Sequence, residues 1–136
     1  MTDHEHLTPE LRVEELPSAS VQTLNLPEVL VLSVQGRVSY VNAPELRGIV
    51  FAALDKKAGR LVIELGSVEA MDTAGVAVLV EAVHAGRKRQ KQVLLCTPSE
   101  TVMRIFRLAG LSDVLECCHA TPDEMWKQIQ ELPTLS

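Results

Sequence analysis

Along most of this chain, short apolar runs with the two-residue spacing of strands alternate with longer stretches of 3.6-residue spacing. Residues 29–34 (VLVLSV), 61–65 (LVIEL) and 93–96 (VLLC) are short and nearly all apolar. Runs of that kind fit strands covered on both faces or lying in a sheet centre. Between them, Leu46, Ile49, Val50, Ala53 and Leu54 share one helix face, as do Val76, Leu79, Val80 and Val83, and later Val102, Ile105, Phe106 and Ala109. A weaker strand at residues 21–26, another at 114–118, and a last helix carrying Met125, Ile129 and Leu132 complete the order β-β-α-β-α-β-α-β-α. Strands that alternate with helices need crossover connections. The expectation is an α/β fold with a mixed, mostly parallel sheet and about four helices. The core should include Leu30, Leu32, Ile49, Leu61, Ile63, Val80, Leu94 and Ile105.

Local punctuation agrees with this order. Asn42 followed by Glu45 reads as a capping box, and Gly59 as the stop of the first helix. Asp72 or Thr73 opens a second helix that runs to about Arg89. Ser99 caps a third, stopped by Gly110, and Thr121-Pro122-Asp123-Glu124 starts a fourth that ends before Pro133. At 136 residues the chain is long enough for one domain. Residues 1–20 hold Pro9, Pro17 and five acids against the single Arg12. They read as a flexible polar leader with room for one helical turn after Pro9, ahead of a folded domain at 21–136.

Composition narrows the function. Thirteen basic and 18 acidic residues leave a net charge of −5, which repels phosphate backbones and anionic lipid. Tyr40, Phe51, Phe106 and Trp126 are the four aromatics, too few for a base-stacking platform. The longest apolar run, residues 49–54, is far short of the ~20 residues a membrane span needs. The polar N-terminus does not resemble a signal peptide, and three cysteines, an odd number, fit a reducing cytoplasm.

One tetrapeptide stands out for chemistry. Asp72-Thr73-Ala74-Gly75 follows a buried strand and opens a helix. Asp72 is placed to accept the free N–H groups of the first turn, and Thr73 to present a hydroxyl at the positive end of the helix. A phosphate on Thr73 would sit where such N–H groups favour anions. Gly75 would let a partner's backbone approach. A plain N-cap explains the same spacing. Aspartic proteases carry Asp-Thr too, but followed by Gly then Ala, and in two copies on a β-rich chain. Cys117-Cys118-His119 makes a poor metal site, because adjacent strand residues project to opposite faces. Arg87, Lys88, Arg89 and Lys91 complement a helix C-terminus more readily than they bind nucleic acid. No P-loop, glycine-rich phosphate loop or Ser-His-Asp order is present, so no enzyme, cofactor or metal is expected. His4 and His6 fall in the leader.

A set of segments in order goes further: Gly36-Arg37-Val38, then Asn42-Ala43-Pro44-Glu45-Leu46-Arg47, then LVIEL, then Met71-Asp72-Thr73-Ala74-Gly75, then Phe106-Arg107-Leu108-Ala109-Gly110-Leu111. Together they resemble the STAS family, the sulphate-transporter and anti-sigma-factor-antagonist domains, over roughly residues 20–132. In the antagonist branch the Ser or Thr after the helix-opening Asp is phosphorylated, which by resemblance is Thr73. The resemblance implies a cytoplasmic, bacterial regulatory module. Unphosphorylated, it would bind an anti-sigma factor, a serine/threonine kinase of the GHKL type, through Arg37, Ser39, Asp72, Thr73, Ala74 and Gly75, and a phosphatase would restore it. Two departures stand out. Antagonists often have Gly-acid-apolar-Asp where this chain has Gly36-Arg37-Val38-Ser39, and Ser is commoner than Thr at the site. Asp-Thr-Ala-Gly also occurs in STAS subunits of lipid-transport ABC complexes and in stressosome-type scaffolds, which is the alternative function.

Overall fold

A computed structural model of the chain describes residues 10–96, 100–108 and 117–118. Six strands form one sheet in the order β1-β2-β3-β4-β5-β6. β1 (Glu10–Leu16) and β2 (Ala19–Asn25) form a hairpin, and β2 runs antiparallel to β3 (Val29–Val38). Beyond β3 every step is a crossover between parallel strands. α1 (Ala43–Leu54) leads to β4 (Arg60–Met71) and α2 (Thr73–Lys88) to β5 (Gln92–Cys96). α3 (Glu100–Leu108) precedes the short β6 (Cys117–Cys118). The sheet is therefore mixed and mostly parallel, as the alternation of periods requires. Three of the expected helices are seen; the fourth, with Thr121, Met125, Ile129 and Leu132, lies outside the described residues.

The main core forms where α1, α2 and α3 meet one face of the sheet. Leu30, Leu32 and Val34 of β3 and Leu61, Ile63 and Leu65 of β4 pack with Leu46, Val50, Leu79, Val83, Val102 and Phe106. Val29, Val31, Val62 and Cys96 are buried on the opposite face. The continuous apolar runs of β3 and β4 thus reflect strands buried on both sides. Of the eight expected core residues, Leu30, Leu32, Leu61 and Ile63 are fully buried, while Ile49, Val80, Leu94 and Ile105 are half-buried.

Residues 10–20 correct the expectation of a flexible leader. They form β1 and the turn into β2. β1 is an edge strand whose alternating pattern, ELRVEEL, buries little: Leu11 and Val13 stay 64% and 51% exposed, and Leu16 alone packs on the core. Its acids mask the two-residue period. Pro17 and Ser18 make the turn. Pro supplies the fixed negative φ and Ser18 sits at φ +63°, the signs of a type II turn.

β3 runs past the apolar stretch 29–34, through Gly36, to Val38. Gly36 adopts φ +95°, and a Cβ there would lie 2.5 Å from the Ser18 carbonyl oxygen. The register between β3 and β4 shifts twice, once between Ser33 and Gln35 and once between Gly36 and Arg37, each time with one extra residue on β4. Such bulges bend a strand and re-aim its end.

The ends of α1 also differ from expectation. Asn42 precedes the helix but makes no side-chain cap, and the helix stops at Leu54 with Asp55 as its C-cap, well before Gly59. Lys91 explains the early stop. Its Nζ donates to the carbonyls of Leu54 (2.6 Å) and Lys56, supplying charge to the negative end of α1. Arg89 donates to Asp55 Oδ1 at 2.7 Å. Half of the basic cluster expected at the end of α2 thus closes α1, leaving Arg87 and Lys88 in the last turn of α2.

Candidate functional site

The C-terminal ends of the parallel strands β3 and β4 place the site. Val38 and Met71 are register partners, and the Asp72 N–H donates to the Val38 carbonyl at 3.1 Å. The chain leaving β3 and the start of α2 therefore lie side by side, where open α/β sheets usually carry their ligands.

Asp72 works in both directions. It stands in an extended conformation (φ −99°, ψ −175°) as N-cap of α2. Its Oδ1 accepts the N–H groups of Ala74 at 2.9 Å and Gly75 at 3.2 Å. Its Oδ2 accepts the Tyr40 N–H at 3.0 Å, across 32 residues of sequence. One carboxylate caps the helix and tethers the loop after β3. The N–H groups of Ala74 and Gly75, which the sequence offered to a phosphate, already serve Asp72.

Asn42 is the second organiser, and the sequence misread its role. It is 1% exposed. Its Oδ1 accepts the Ser39 N–H at 2.9 Å, and its Nδ2 donates to the carbonyls of Pro17 (2.6 Å) and Arg37 (2.8 Å). With the side chain committed to these three partners, the first turn of α1 goes uncapped. Buried amides are kept where all their bonding capacity is met. Asn42 knots the hairpin turn, the end of β3 and the site loop together. The Arg37 N–H adds a bond to the Ser18 carbonyl at 2.9 Å.

The six residues assigned to the site by resemblance fall together but differ in access. Thr73, the first residue of α2, is exposed. Arg37 is exposed, with its guanidinium 3.9 Å from Glu69. Ser39, Asp72 and Ala74 are half-buried, and Ser39 Oγ accepts the Val41 N–H at 3.2 Å. Gly75 is buried, which corrects the reading of it as a place for a partner's backbone. A Cβ there would come within 2.7 Å of Met71 Cγ and 2.8 Å of Val38 Cγ1. The glycine lets α2 seat against the ends of β3 and β4. Beside Thr73 the structure adds Tyr40 and Val41, 77% and 54% exposed. Nothing in their local sequence marked them, because a Tyr-Val pair in a loop is unremarkable until the tether to Asp72 fixes its place.

Elsewhere, Cys96 is buried and lies in register with Cys118 across β5 and β6. His119 lies outside the described residues. Among the described residues, no group of three His, Cys, Asp or Glu side chains converges, and no helix is long and apolar enough to cross a membrane.

The fold is an α/β domain with an exposed threonine as the first residue of a helix, beside a loop tethered at the strand ends. The chain belongs to the STAS domain family, whose model matches residues 20–127. The anti-sigma-B factor antagonist of Listeria monocytogenes is 32% identical over 83 residues, 61% of this chain and 73% of that protein. An anti-sigma factor antagonist from Mycobacterium paratuberculosis has the same fold, with a TM-score of 0.62 at 21% identity over 91% of this chain and 96% of that one. The Bacillus cell fate determinant SpoIIAA in its phosphorylated form gives a TM-score of 0.60 at 16% identity, covering 88% of this chain and 99% of that one.

Proposed function

We propose that this protein is an anti-sigma-factor antagonist switched by phosphate on Thr73. Unphosphorylated, it binds an anti-sigma factor of the GHKL kinase type through Thr73, Arg37, Ser39 and the neighbouring loop. The kinase modifies Thr73 and so releases the complex, and a phosphatase reverses it. The observation that carries this reading is an exposed Thr73 hydroxyl beside an Asp72 carboxylate that is fixed from both sides. The names of the curated relatives and the existence of the same fold in a phosphorylated state support it.

The physical chemistry of the switch is electrostatic. A phosphate adds about −1.5 to −2 charges. Asp72 Oδ1 already occupies the nearest helix N–H groups, so the new charge meets a carboxylate and is not neutralised. A partner carboxylate about 4 Å away then feels ~1 kcal/mol of repulsion per charge pair in water and up to ~4 near a protein surface. That is roughly fivefold to nearly a thousandfold weaker binding. The fold survives, because the phosphate projects outward from an exposed residue.

The test is phosphosite mapping after incubation with the cognate kinase and ATP, with calorimetric binding of variants. Thr73→Ala should bind and resist switching; Thr73→Glu should bind weakly. If Thr73 stays unmodified and Thr73→Glu binds like the parent, the domain is better read as a subunit of a transporter complex.

A further inference from the structure

The outer edge of β1 carries a pattern that the site around Thr73 does not use. Among the described residues β1 has a neighbouring strand on one side only, β2. Its other edge presents backbone N–H and C=O groups in a row, the standard template for adding a strand. Leu11 and Val13 project from the same strand, 64% and 51% exposed. Natural edges of this kind are blunted by charge, and β1 has Arg12, Glu14 and Glu15. The order of those charges, however, is self-complementary.

We infer that β1 is a self-association edge, at which a second copy of this chain adds its own β1 antiparallel to form one continuous sheet. A two-fold axis normal to the sheet keeps opposed residues on the same face, so the two residue numbers in each pair must sum to an even value. Three central registers are available. Centred on Arg12, the pairing sets Arg12 against Arg12 of the partner subunit and Glu10 against Glu14 of the partner subunit. Centred on Glu14, it sets Glu14 against Glu14 of the partner subunit. Like charges directly opposite are destabilising, so both registers are disfavoured. Centred on Val13, every charge clash disappears. Arg12 faces Glu14 of the partner subunit, and the symmetry repeats the pair. Val13 meets its own copy on the axis, and Leu11 lies diagonal to Val13 of the partner subunit, within reach of apolar side chains.

The single strand Glu10–Leu16 is a small seam, so the association belongs with transient interfaces smaller than about 1,000 Å². The two-fold reverses strand direction. It therefore sends the two Thr73 surfaces to opposite ends of the joined sheet and leaves both open to a partner.

Sedimentation velocity of the full chain over a concentration series tests this, with circular dichroism to show that each variant is folded. The parent should pass from monomer to dimer as concentration rises. Arg12→Glu and Glu14→Arg each turn two attractive cross-strand pairs into repulsive ones, so each alone should dimerise at least about tenfold more weakly. Mixed together, the two variants pair Glu with Arg at every contact and should form a heterodimer at least as tight as the parent dimer. The double exchange R12E/E14R should dimerise like the parent. A parent that stays monomeric throughout overturns the inference. So does a mixture of folded single variants that fails to pair, or a monomer that takes up only an extended segment of another protein at this edge.

Discussion

Replacing Asp72 tests how one carboxylate can hold both the helix and the loop. Asp72→Ala removes the bonds to Ala74 and Gly75 and the bond to Tyr40. Loss of an N-cap costs about 0.5–2 kcal/mol. Loss of an exposed side-chain hydrogen bond costs a further ~0.5–1.5 kcal/mol. The sum is about 1–3.5 kcal/mol. At ~2.1 cal/mol/K per residue, a chain this long unfolds with an entropy of about 0.3 kcal/mol/K, so the melting temperature should fall by ~3–12 °C. Asp72→Ser separates the two roles. A serine hydroxyl caps a helix as well as a carboxylate does but is too short, with one oxygen, to reach Tyr40 as well. Amide hydrogen exchange read by NMR distinguishes the variants. In Asp72→Ala the amides of Tyr40, Ala74 and Gly75 should all lose protection; in Asp72→Ser only Tyr40 should. If Tyr40 stays as protected in the serine variant as in the parent, Asp72 does not tether the loop. If the alanine variant melts within about 1 °C of the parent, the cap contributes far less than its geometry implies.

Two further substitutions probe the turn and the core. Gly36→Ala places a Cβ 2.5 Å from the Ser18 carbonyl and 3.0 Å from Ala19 Cα at φ +95°; a loss of about 2–4 kcal/mol is expected in urea denaturation, and a loss under ~0.5 kcal/mol would mean that the turn moves freely. Ile63→Ala empties a fully buried position on the helix-covered face of β4; the same assay should show a loss of about 2–5 kcal/mol with an unchanged denaturant slope.

The alternation of periods made β3, β4, β5 and the first three helices readable, because strands buried on both faces and one-sided helices leave unmistakable apolar spacing. Asp72 was readable as a cap for a local reason: its partners Ala74 and Gly75 lie two and three residues away. The partners that escaped notice are distant. Asn42 looks like a helix cap in sequence, and only the fold brings Pro17, 25 residues away, within reach of its amide. Lys91 closes a helix 37 residues upstream. β1 hid for a different reason. An edge strand with one lightly covered face needs little apolar surface, and acidic composition outweighed its two-residue rhythm.

The Asn42 knot also sets where the working unit begins. The family match starts at residue 20, yet the Pro17 carbonyl that receives Asn42 Nδ2 and the Ser18 carbonyl that receives the Arg37 N–H both lie before that boundary. A fragment cut at residue 20 would keep most of the core and lose those two anchors. It would leave a nearly fully buried amide short of a partner directly beneath the loop that presents Tyr40 to Asp72. β1 and the turn ahead of the matched region therefore act as the footing of the loop that presents Tyr40 to Asp72, and a fragment cut at the family boundary would lack that footing.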